Sequence, residues 1–292
     1  MHQERSGKAP PDQTLVKGIH LYVFAHGFQA SSYDMRAFKN CVALKHPRVL
    51  FLCSTSNEEL TEGSIEVMGK NLAKEVKSYI REWCYSKDHK TLYMSRLSFV
   101  GHSLGGLIIR SALPLLEEYK GFMHGFMTLG SPHLGYMYNS NSLVNAGMWF
   151  LKNWKSSESL KQLSMSDKST PKDCYLYKLS KSLGLSWFKH LVFLGSNQDR
   201  YAPYDSSRVQ LCSRALSNQT DENTRLSIKM TQNILSRLSG GSCEKIIRID
   251  VNFKIDESNL DALIGRTAHI LLVECEPLIE ILVHQYSDFF CE

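Results

Sequence analysis

Leu97-Ser98-Phe99-Val100-Gly101-His102-Ser103-Leu104-Gly105-Gly106-Leu107-Ile108-Ile109 is the stretch on which the fold turns. A short apolar run of strand length enters a G-x-S-x-G pentapeptide, and an apolar run of helical character leaves it. Such a context is what a nucleophile elbow requires. Its serine occupies a strained backbone conformation at the tip of a tight turn, and a side chain two positions to either side would collide with the neighbouring strand and helix. Taken alone, the pentapeptide also fits a glycine-rich turn with no chemistry. The flanking strand and helix favour Ser103 as a nucleophile.

Outward from the elbow, strand-length apolar runs alternate with segments of helical period, the pattern of a parallel sheet flanked by helices. Strands are expected at Ile19 to Ala25, Arg48 to Cys53, Leu97 to Val100, His124 to Gly130, His190 to Gly195 and Lys245 to Phe253. From an N-cap at Ser64, the residues Met68, Leu72, Val76, Tyr79, Ile80 and Trp83 fall on one helix face, opposite Lys70, Lys74, Lys77 and Arg81. The helix after Ser103 should kink or stop near Pro114, which has no N–H for the helical ladder. Two helical segments are expected between Ser206 and Leu238, and an amphipathic helix from His269 to Phe289 closes the chain. Between Leu134 and Trp187 the alternation lapses, and the segment reads as a helical cap inserted above the sheet.

Composition narrows the classes. The 292 residues read as one domain over 17–292 behind a polar, disordered tail at 1–16, with no apolar run that would make the tail a signal peptide. None of the eight cysteines forms a C-x-x-C pair, so reduced, unmetallated thiols and a cytoplasmic location are expected. No apolar stretch reaches the roughly 18 residues that span a bilayer, because Glu274, Glu276 and Glu280 interrupt the longest candidate. The net charge is +5, and the eight lysines against three acids between Lys152 and Lys189 equal that whole surplus. These lysines lie among serines and leucines without interleaved arginines. A solvated face comes first, an anionic lipid surface second, and nucleic acid is not expected.

A serine hydroxyl is a weak nucleophile at neutral pH, so a base is needed, with a carboxylate to hold that base in one tautomer. On such a sheet the chain order is serine, acid, histidine. The strand His190 to Gly195 runs into Ser196-Asn197-Gln198-Asp199-Arg200, which makes Asp199 the leading acid, with Asp205 in reserve. Beyond it only His269 and His284 remain. His284 lies inside the closing helix, whereas His269, in Gly265-Arg266-Thr267-Ala268-His269, is expected in a loop entering that helix over the sheet edge. Two backbone amides, of Leu104 and of Phe28 in His26-Gly27-Phe28, are the candidate oxyanion donors. His26, His102 and His133 read as structural, and Trp149, Phe150 and Trp154 as pocket lining or as core. The chemistry calls for no metal or organic cofactor.

These segments resemble the α/β-hydrolase lipases, and more closely the lipase-like serine esterases at the C-terminus of large eukaryotic proteins called "family with sequence similarity one hundred thirty-five". The resemblance runs from about Gly18 to near the C-terminus. It is carried by His26-Gly27-Phe28 with Tyr33-Asp34-Met35-Arg36, by the elbow, by Ser131-Pro132-His133-Leu134-Gly135, by Gly195 to Tyr201 with Pro203-Tyr204, and by Ile264 to Ile270. It implies an α/β-hydrolase fold, a Ser103, His269 and Asp199 triad, an ester or lipid substrate and lipid metabolism. Ala30 departs from the H-G-x-x-G loop of many lipases, which implies a differently shaped oxyanion loop. Members often carry a long N-terminal region, so this chain is expected to be a short or partial form. The rival reading is a catalytically silent module on the same scaffold.

Overall fold

The computed structural model describes residues 18–46, 49–85, 87–88, 91–136, 156–211, 222–254 and 261–290, the side chains of 261–264 excepted. The expected tail at 1–16, much of the expected cap, and Trp149, Phe150 and Trp154 therefore lie outside the described residues.

Strands β1 (Ile19–Ala25), β2 (Val49–Cys53), β3 (Met94–His102), β4 (Met123–Leu129), β5 (His190–Gly195) and β6 (Lys245–Asp250) form one sheet in the order β2-β1-β3-β4-β5-β6. Every pairing is parallel. Alternate side chains point to opposite faces of a strand, and β1 shows the consequence. Leu21, Val23 and Ala25 join one core with α2 (Ile65–Tyr79), α3 (Leu104–Ala112) and α7 (Glu222–Leu238). Tyr22 and Phe24 join a second core with α1 (Arg36–Lys45), α8 (Asp261–Glu274), α9 (Glu276–Gln285) and α10 (Ser287–Phe290). Burial on both faces explains why the strands read as near-continuous apolar runs.

Strand order reverses direction between β1 and β3, because the chain leaves β1 toward β2 and returns on the other side. At such a switch point the loops at the carboxyl ends of the two strands diverge and leave a crevice. Here those loops are His26-Gly27-Phe28 and the elbow at Ser103. The fold thus puts the two candidate segments side by side.

Several elements differ from the sequence expectation. β3 begins three residues earlier than expected, and β6 ends at Asp250 rather than Phe253. The helix after Ser103 stops at Ala112 and continues as a 3-10 turn through Pro114, as its missing N–H requires. Ser64 caps α2 by accepting from the Glu66 amide, but after Tyr79 the helix widens into a π-turn, Ile80–Cys84. That extra residue per turn rotates Cys84 inward and leaves Trp83 57% exposed, so Trp83 is not on the buried face. The expected closing helix is three helices, α8 to α10, broken at Cys275 and Tyr286. Pro277 explains the first break, since it cannot donate to the carbonyl of Val273. Between Ser206 and Leu238 the described helices are the end of the short α6 (Tyr204–Ser207) and α7.

Within the expected insertion, α4 (Glu158–Leu163) and α5 (Tyr175–Ser180) are helical. The Ser159 hydroxyl donates to the Thr61 carbonyl at 2.7 Å, and the Gln162 side chain accepts from the Ile65 amide at 2.8 Å. These bonds pin α4 to the segment entering α2. Among the described residues, no helix is long and apolar enough to cross a membrane.

Candidate active site

Ser103 follows β3 directly and precedes α3 with φ 53° and ψ −122°, a conformation L side chains rarely adopt. Its amide donates to the Leu129 carbonyl at 2.9 Å, which anchors the turn to β4. A Cβ on Gly105 would sit 2.1 Å from the carbonyl oxygen of Ala25, and one on Gly101 would sit 2.6 Å from the Gly106 nitrogen. Backbone therefore fills the space on both sides, which is why the pentapeptide needs both glycines.

Asp199 follows β5 and is buried. Its Oδ1 accepts from the amides of Tyr201 and Ala202 at 2.7 and 3.0 Å, which fixes the carboxylate. Its Oδ2 lies 2.6 Å from His269 Nδ1, a buried contact in which the imidazole N–H donates to the carboxylate. Nε2 is thereby left as the basic nitrogen. His269 lies well inside α8, not in a loop entering a helix as the sequence suggested. A mid-helix position removes the dipole penalty that a helix N-terminus would impose on the imidazolium. Asp205 sits half-buried on α6, and His284 is exposed on α9. The structure brings Asp199 and His269 together.

A pocket of about 290 Å³ is lined by Ser103 and His269 together with Gly27, Phe28, Leu104 and His102. Both expected oxyanion residues thus border the same space as the serine. Leu104 is the first residue of α3, where an amide has no intrahelical acceptor. A Cβ on Gly27 would lie 3.0 Å from Ser103 Cβ, so this glycine lets the loop approach the serine. His26 orders the loop, its ring N–H donating to the Gly27 carbonyl at 3.0 Å. Just before Ala30, where the sequence departs from the glycine pattern, Gln29 takes a left-handed conformation, φ 49°. The Gln29 amide donates to Thr61 Oγ1 at 3.0 Å, which supports that turn.

Other contributors carried no role in the sequence. Tyr201 stacks on the His269 ring at 5.5 Å between centroids, and burial raises its phenol pKa. Leu160 and Leu163 of α4 and Ile270 and Val273 of α8 give the pocket apolar walls. Tyr201 was within reach of inference, because it stands two residues from the acid. The leucines of α4 carry no local signal, since only the tertiary fold returns that helix to the elbow. His133 is structural, buried between Thr128 Oγ1 at 3.0 Å and Arg110. Burial holds its pKa well below the ordinary value.

A parallel sheet with a strained serine elbow after its central strand, and an Asp–His pair reaching the same crevice from later elements, defines an α/β-hydrolase of the lipase-like serine-esterase class. The chain belongs to the family described as "Putative serine esterase (DUF676)", whose model matches residues 16–214. It is similar to "Putative lipase ROG1" of Saccharomyces cerevisiae, 29% identical over 149 residues, 47% of this chain and 20% of that protein. It is also similar to "Putative lipase YDL109C" of the same yeast, at 28% over 153 residues, 48% of this chain and 22% of that one. The chain thus matches about a fifth of the length of these curated relatives. Among solved structures, the lin2722 gene product of Listeria innocua superposes with a TM-score of 0.50 at 13% identity, covering 91% of this chain and 92% of that one. That likeness concerns the fold alone.

Proposed function

We propose that this chain hydrolyses carboxylic esters of lipid type through an acyl-enzyme. His269 Nε2 takes the Ser103 proton as Oγ attacks the ester carbonyl, and the amides of Leu104 and Phe28 hold the oxyanion as it develops. The tetrahedral intermediate collapses, the alkoxide leaves with the proton from His269, and the acyl group stays on Ser103. Water, deprotonated by His269, then attacks the acyl-enzyme and releases the acid. Asp199 keeps the imidazole in the tautomer that leaves Nε2 basic and stabilises the imidazolium. The observation that carries this reading is the 2.6 Å contact of His269 with a carboxylate itself fixed by two amides, beside a pocket that Ser103 also lines.

The finer parts of the reading follow. The segment 134–187 serves as a cap on one catalytic domain, and in its described part Leu160 and Leu163 supply apolar lining for an acyl chain. The lysines between Lys152 and Lys189 meet anionic lipid headgroups transiently, and no nucleic acid is bound. The free Cys41, Cys53, Cys84, Cys174, Cys243 and Cys275 suit a reducing, cytoplasmic setting, and the lipase-like resemblance supports a place in lipid metabolism. The motif set supports a kinship with the C-terminal domain of the "family with sequence similarity one hundred thirty-five" proteins.

A fluorophosphonate probe tests the core of this proposal. The wild-type chain is expected to label on Ser103 and to cleave p-nitrophenyl and glycerol esters, with Ser103→Ala inert in both assays. A folded wild type that neither labels nor turns over any chain length in the series would mark a silent scaffold instead. Co-sedimentation with anionic vesicles at low salt tests the lysines, and recovery in the supernatant removes that part.

A further inference from the structure

We propose that His102, the residue before the nucleophile, is a positioning residue that ties the main chain of the base to the elbow. This rests on the role given above to His269. Among the described residues, α8 is joined to other elements by two hydrogen bonds, both at His269. One is the ring contact with Asp199. The other runs from His102 Nε2 to the main-chain carbonyl of His269, 3.1 Å away, between residues 167 positions apart in the chain.

A carbonyl oxygen can only accept, so the His102 proton must reside on Nε2, and the second lone pair of that oxygen makes room for the bond beside the helical one. Nδ1 is then a bare acceptor, buried and without a partner. It faces the oxyanion loop, where a Cβ on Gly27 would lie 3.5 Å from it. The two imidazoles are 4.8 Å apart and tilted by 39°. Burial, with the field of His269 next, holds His102 down to about 3, so the donor persists unprotonated at Nδ1 across the working range.

The geometric consequence concerns how His269 meets Ser103. Asp199 fixes the direction of the ring through Nδ1, and burial of Leu272 and Val273 seats the helix in the second core, but neither contact ties its main chain to the elbow. The tether from His102 adds that link at the backbone of the same residue. Because residues 102 and 103 are adjacent, helix and nucleophile move as one unit. A displacement of about 1 Å between reacting groups can cost about a hundredfold in rate, so a tether of this kind acts on kcat.

Two variants and one spectroscopic measurement test the assignment. Gln at 102 carries an amide N–H at a reach comparable to Nε2, whereas Leu fills similar volume with no donor. His102→Leu is expected to lower kcat and the fluorophosphonate inactivation rate by about ten- to a hundredfold with KM within about twofold. His102→Gln should recover most of both. Equal impairment of the two variants, or a Leu variant with wild-type kcat, overturns the proposal. Nitrogen NMR of the wild-type protein decides separately from turnover: a proton on Nε2 and a bare Nδ1 support the tether, and the opposite tautomer sinks it. Should wild type ignore ester and probe alike, the hydrolase reading falls while the tautomer still decides the tether.

Discussion

Ser103 is held in a backbone conformation that costs about 1–3 kcal/mol for a residue with a Cβ. Relief of that strain should be visible once the hydroxyl is given up. Ser103→Gly is expected to be inactive yet more stable by about 1 kcal/mol, as a higher urea midpoint, after allowing for the added freedom of glycine in the unfolded chain. The reverse holds two residues on, where Gly105→Ala would drive a methyl into the carbonyl of Ala25. Overpacking against backbone cannot be absorbed by a rotamer change, so a loss of about 3 kcal/mol, or failure to accumulate folded protein, is expected. Asp199→Asn keeps the shape but invites the wrong imidazole tautomer. Its kcat should drop by about three to four orders of magnitude while the circular dichroism spectrum stays unchanged.

At the scale of elements, the C-terminal helices close the second face of the sheet. Phe289 packs where Gly125 of β4 has no side chain, since a Cβ there would lie 2.5 Å from its ring. The Tyr22 hydroxyl donates to the carbonyls of Phe289 and Phe290 at 3.2 and 3.1 Å, tying β1 to the end of the chain. Phe289→Ala should therefore leave a cavity between β4 and α10 at a cost of about 3–5 kcal/mol, read as a shift in the denaturant midpoint. A change below about 1 kcal/mol would mean that α10 does not seal the core. The π-turn after α2 makes the opposite prediction for Trp83, whose exposed ring can be shortened with little effect on stability.

Three histidines of the sheet lie at the edge opposite the elbow, and their burial bears on the stability of the whole molecule. His20 of β1, His124 of β4 and His190 of β5 cluster at the amino ends of their strands, with ring centroids 5.2 and 5.0 Å apart, far from the elbow at the carboxyl ends. The Ser98 hydroxyl lies 2.8 Å from His20, and His124 donates to the Asp288 carbonyl at 2.9 Å. Burial lowers His20 to about 2 and His124 to about 4, with Arg96 and the neighbouring histidines adding to it. In the unfolded chain these groups return toward 6.5, so below that pH the unfolded state binds more protons and is favoured. Stability should hold above about pH 7 and fall as pH drops from about 6.5 toward 4, with His102 adding to the loss. Urea midpoints at pH 7.5 and 5 measure this, and identical values would contradict the burial argument.

Sequence by itself determined the sheet, the elbow and the chain order of the site residues, because strand period, obligatory glycines and loop position are local properties. His190 to Gly195 and Ile19 to Ala25 were legible to the residue, since continuous apolar runs bounded by polar loops leave no other strand register. Local pattern failed where packing across the chain decides. The helical setting of His269, the inward turn of Cys84 in place of Trp83, and the break at Cys275 depend on which neighbour each residue meets. Likewise, spacing alone put Asp199 ahead of Asp205 and His269 ahead of His284, but only the tertiary structure brought Asp199 and His269 into contact. It alone brought Leu160 and Leu163 to the pocket and His102 to the carbonyl of His269, because contacts between residues far apart in sequence exist only once the sheet has closed around both cores.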